Sequence, residues 1–175
     1  MELPGATYLY TLAALAVSFV GFSALVMILR QTFGGEVSRL DTLITRIFIQ
    51  LGFMVAAGAL LPSLLSLFQL PHSLIWRLSS AATAAPVFLF AVTYPARRRA
   101  ASGVRTPIVV WIDVLVLLLA AAVLIGNAIG IGLESAPGPF AAALTAILFL
   151  SFWAYLQALN MLLSHHFQSP RQRPE

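Results

Sequence analysis

The chain has 175 residues, of which 60% are hydrophobic and only 9% charged, with a formal net charge of +4. A soluble domain carries about 25% charged residues, so a water-soluble globular fold is excluded and a multi-pass membrane protein is indicated, in keeping with a mean hydropathy of +0.93. There is no cysteine and no lysine, which excludes disulfides, thiolate metal sites, cysteine nucleophiles and Schiff-base lysines.

The opening stretch carries Glu2 where a signal peptide has positive charge, and its apolar run is longer than a signal's core, so it is expected to stay as the first span. That run covers 8–29, begins with Tyr8 and Tyr10 at the level of an aromatic belt, and is closed by Arg30. Gly34, Gly35 and several charges then break the helix, and Asp41 with Thr42 supplies an N-cap signal. A second helix is expected over 43–68, with Gly52, Ala56, Ala57 and Gly58 as close-packing positions and a kink at Pro62.

After the short QLPHS turn, a third helix is expected over 73–94, with Arg77 just inside its start and Pro86 near its middle. Its serines, threonine and alanines at 79–85 form a narrow surface that a neighbouring backbone can approach closely. Pro95 opens a segment holding Arg97, Arg98, Arg99 and Arg105 with no acid, expected to be a loop. Thr106-Pro107 then starts a fourth helix over 107–131, since proline suits the first helical turn. It ends in GNAIGIG, where Gly126 and Gly130 form a GxxxG pair suited to helix packing. The fifth helix is expected over 140–163, so that 1–168 form a single membrane domain and 169–175 a polar tail.

Five spans make an all-α transmembrane bundle whose first and third connections and C-terminus share one side. That side holds nine of the ten arginines, Arg30, Arg39, Arg46, Arg97, Arg98, Arg99, Arg105, Arg171 and Arg173. The positive-inside rule places it in the cytoplasm and the N-terminus outside. The arginines therefore read as topology determinants, and a nucleic-acid partner is not expected. The two halves share no motif, so an inverted-repeat transporter has no support.

A carboxylate inside a bilayer is costly and needs a partner or a proton. Asp113 lies about two turns into the fourth helix from the arginine-rich end, Gln157 and Gln50 lie as deep in the fifth and second, and Arg46 and Asn160 about one turn shallower. These five residues can form one polar layer, either as a proton or ion site or as a clasp that fixes packing. At the opposite end, Arg77 can pair with Glu134, the one acid in the connection between helices four and five. His72 and the His165–His166 pair fall on opposite sides of a hydrocarbon layer about 30 Å thick, so one ion cannot bridge them and no metal or haem cofactor is expected.

No nucleophile elbow, phosphate loop or paired catalytic acids occur in the sequence. The expectation is a non-enzymatic integral protein of the bacterial cytoplasmic (inner) membrane, acting by packing in the lipid bilayer as a homo-oligomer or as an accessory subunit of a larger complex. The alternative is a channel or transporter component built on the Asp113 layer. Reporter fusions after Arg99 and after Glu175 should both report cytoplasm, and a fusion at Glu134 the outside; any exchange between these positions overturns the depth assignments.

Overall fold

The computed structural model describes residues 3–32, 39–103, 107–130 and 136–167, with side chains placed at 3–28, 32, 42–103, 107–130 and 136–157. Five helices follow in order: α1 (Ala6–Thr32), α2 (Arg39–Ser66), α3 (His72–Ser102), α4 (Ile108–Ile129) and α5 (Pro137–Phe167). Each is long and apolar enough to cross a membrane, and no strand occurs among the described residues. The protein is an integral membrane helix bundle. The helix is the favoured form because hydrocarbon offers no partner for an unpaired backbone N–H or C=O, and a helix pairs both within itself.

Helices α2, α3, α4 and α5 form a ring in which each packs on the next and α5 returns to α2. Helix α1 lies outside the ring along α2 and touches α5 only at its edge. The centre is closed by large apolar side chains, among them Leu117 and Leu124 from α4, Phe140, Leu144 and Ile147 from α5, and Val55 from α2. At the arginine-rich end, Phe19, Phe48 and Tyr155 from α1, α2 and α5 meet edge to face, with ring centroids 5.4–6.4 Å apart. At the other end Tyr8 of α1 bonds Thr145 of α5, oxygen to oxygen at 2.7 Å.

The helix boundaries differ from expectation most at α3, which runs through Pro95 to Ser102. Proline there removes one backbone bond, to Ala91, but the following ARRRAAS is rich in strong helix formers and carries the helix on. It stops at Gly103, whose left-handed conformation (φ 64°) lets its N–H bond the Arg99 carbonyl at 3.0 Å. Helix α4 ends the same way. Gly130 (φ 74°) caps it by donating to the Gly126 carbonyl at 3.0 Å, so the second glycine of the GxxxG pair is a helix stop. Pro71 and Pro107 stand immediately before α3 and α4, where their fixed φ and missing N–H cost little.

The close approaches within the bundle are on α2. A Cβ at Gly52 would overlap the Val20 Cγ2 methyl of α1, and one at Gly58 would meet Thr83 Cγ2 at 3.0 Å and Leu144 Cδ2 at 3.2 Å. Gly126, by contrast, has no neighbour within 4 Å of such an atom, so it makes no close contact inside the described chain. Alanine in mid-helix is ordinarily about 0.5–1 kcal/mol better than glycine. Gly52→Ala is nevertheless expected to lower stability by roughly 1–3 kcal/mol, because overpacking against a stiff β-branched valine outweighs that gain. Val20→Ala should restore it. Unfolding in mixed micelles checks both; a Gly52→Ala variant more stable than the parent contradicts the close α1–α2 approach.

Candidate functional site

Helix α4 carries the one buried acid and the one buried amide among the described residues. Its buried positions, Val110, Asp113, Val114, Leu117, Ala120, Ala121, Leu124 and Asn127, recur every three or four residues and so form one stripe. An acid stands near one end of this stripe and an amide near the other. They are 14 residues apart (127 − 113), about 21 Å along the axis. Helix α3 is the neighbour that answers both.

At the arginine-rich end Asp113 is 8% exposed, and the cation whose charge acts on it is Arg98 of α3. Tyr94, one turn earlier on the same helix, is close enough to feel the charges of both Arg98 and Asp113. Tyr94 is held in place by its ring, stacked on Phe90 at 5.8 Å. The three groups make a mixed-charge cluster across the α3–α4 interface. Its members offset one another's charge where solvent is scarce.

At the opposite end the Asn127 Nδ2 donates to Ser80 Oγ of α3 at 2.8 Å and to the Ala136 carbonyl at 3.3 Å, while its Oδ1 accepts the Ala136 N–H at 3.0 Å. One amide therefore ties α4 to α3 and fixes the residue that precedes α5. The paired N–H and C=O of Ala136 lie just before the first turn of α5, where the backbone has no intrahelical partner for its early donors. This is a structural clasp in each of its bonds.

Gln50 is half-buried on α2, and its Oε1 accepts a bond from Arg97 Nη1 at 3.4 Å. Arg46 is exposed on the α2 surface, and Gln157 is half-buried on α5. Asp113 thus faces the arginine of α3, which the helical continuation through Pro95 brings alongside it, and Arg46 stays on the outer surface. The Asn160 side chain, Arg105 and Glu134 lie outside the described residues, so the Arg77–Glu134 pairing is not described; Arg77 itself is exposed. Arg99 is exposed at the last turn of α3. Reading the sequence for polar depth alone missed Arg98, Tyr94 and Ser80. The signal for the first two was the helix-forming ARRRAAS segment, which carries Arg98 one turn beyond Tyr94.

Two of the tryptophans differ in their surroundings. Trp111 is exposed, but Trp76 is buried against Phe140, with centroids 5.8 Å apart, and works as a packing residue between α3 and α5. Among the described residues no three histidines, cysteines or acids are grouped as a metal would require. The hydroxyls of Ser23, Thr83 and Ser151 donate to carbonyls one turn back in their own helices, at 2.9, 2.7 and 2.8 Å.

A cleft of about 420 Å³ runs between α2 and α3, lined mainly by apolar side chains with Gln50 and Thr83 as its polar members. No family model matches the sequence, and no curated protein or solved structure matches it.

Proposed function

We propose that the protein is a non-enzymatic helical subunit that works by packing, either with further copies of itself or as an accessory part of a larger complex in the bacterial cytoplasmic membrane. The observation that carries this reading is the inward engagement of the polar groups. Asn127 is answered by Ser80 and Ala136 inside the bundle, and Asp113 is buried on the α4 stripe with Arg98 of α3 as a nearby cation. Polar residues used in this way hold membrane helices together with modest energies, about 0.6 kcal/mol each. The bias of nine arginines in ten supports an orientation with the α2 start, the α3 end and the C-terminus in the cytoplasm.

One observation favours a second reading. Asp113 is an acid within a membrane span, and such residues often mark ion or proton paths. A channel or transporter component would need water to reach that carboxylate.

Extraction of the native membrane into polymer-bounded discs separates the readings. The packing role expects particles that contain more than one 18.8 kDa chain, or one such chain with a different membrane protein. A lone chain in every particle would count against it. In liposomes the same role expects no proton or ion flux from the parent protein, whereas flux abolished by Asp113→Asn with folding intact would establish the transport reading instead.

A further inference from the structure

The cleft between α2 and α3 has a shape and a charge distribution that point to a ligand. Its α2 wall runs from Ile49 to Leu61, 12 residue steps (61 − 49), about 18 Å along the helix. That is close to one leaflet, half of a hydrocarbon core roughly 30 Å thick. The hollow is lined by the short side chains of Ala57 on α2 and Ala82 on α3, with Gly58 and Thr83, which pack closely on one another, at its wall. Phe53, Ala57 and Ala82 are exposed, which opens the cleft sideways toward lipid.

One end of this apolar cleft is basic. Gln50 lines it, and the Arg97 guanidinium reaches Gln50 at 3.4 Å. The Cα–Cβ bonds of a helix lean toward its N-terminus, which on α3 is the direction of the cleft, so Arg97 leans inward over the mouth. Arg46 stands one turn before Gln50 on α2 and is exposed at the same end. The described partner of Arg97 is a neutral amide, which leaves its positive charge for an anion.

We propose that this cleft is a binding site for one anionic phospholipid of the leaflet at the arginine-rich end. One acyl chain lies along the α2–α3 wall, and the phosphate is held by Arg97 with Arg46 beside it. Basic pockets between transmembrane helices bind anionic headgroups by this combination of charge and apolar contact. The site uses neither Asp113 nor Asn127, and stands whether the protein acts alone or within a complex.

Native mass spectrometry of the full chain in detergent tests it, with phosphatidylglycerol and phosphatidylcholine of identical acyl chains as probes. One phosphatidylglycerol should be retained in preference to phosphatidylcholine. Arg97→Gln should weaken its retention roughly fivefold, the factor for one arginine near a lipid surface. Ala82→Phe, which fills the cleft from an exposed position, should reduce retention of both lipids; Ala57→Phe is the equivalent from the opposite wall should the first variant lose its helical circular dichroism. Equal retention of the two lipids, or retention indifferent to both kinds of variant, would overturn the proposal. So would a second polypeptide, in place of lipid, cross-linking to a cysteine introduced at Ala57.

Discussion

A polar side chain carried into hydrocarbon has to find its partner inside the protein, and α4 carries two of them on one buried stripe. Asp113 and Asn127 lie on that stripe about 21 Å apart; Ser80 of α3 stands level with Asn127, and Arg98 lies about one turn beyond the height of Asp113 and has to reach back along α3. Because each partner lies where only one register of the two helices allows, the pair is fixed in depth as well as in rotation. The apolar residues between them, Val114, Leu117, Ala120, Ala121 and Leu124, are buried but carry no directional bond that would fix the register. The polar ends select the register, and the apolar middle fills it. Asn127 also holds Ala136, so the same amide determines where α5 begins.

The remaining helices are placed by shape more than by hydrogen bonds. Lipid chains are as apolar as leucine, so α1 gains little from burial and packs along α2, outside the ring, where Gly52 lets Val20 come close. Gly58 does the same for α2 against both α3 and α5, through Thr83 and Leu144. Aromatic contacts among Phe19, Phe48 and Tyr155 then secure α1 at one end, and the Tyr8–Thr145 bond secures it at the other. The bundle thus has a register-fixed pair, α3 and α4, and a set of neighbours fitted to it by small residues. The cleft lies on the α2–α3 side, lined by the short side chains of Ala57 and Ala82.

The five spans were legible in the sequence because a run of twenty apolar residues has no competing soluble reading. Asp113 and Asn127 stood out for the same reason, as polar breaks in such a run. Their partners were hidden by a local rule that tertiary context overrode. Pro95 reads as a helix end, so Arg97 and Arg98 were placed in a loop and credited only with topology, while the actual helix carries them on past Tyr94 to Gly103. The glycine motif failed in the opposite sense: spacing alone favoured Gly126 and Gly130, yet one faces no neighbour in the described chain and the other is a left-handed cap. Spacing cannot tell which face of a helix is turned inward. Gly52 and Gly58, named only as small residues, carry the close contacts.

The claim on which all of this rests is that the Asn127–Ser80 contact couples α4 to α3 within the membrane. A double-mutant cycle measures it directly, through the unfolding free energies of the parent, Asn127→Ala, Ser80→Ala and the double variant in bicelles. The expected coupling is favourable and between about 0.6 and 1.7 kcal/mol, the range such bonds reach in membrane proteins. Strict additivity of the two substitutions would contradict the clasp and, with it, the register it is held to set.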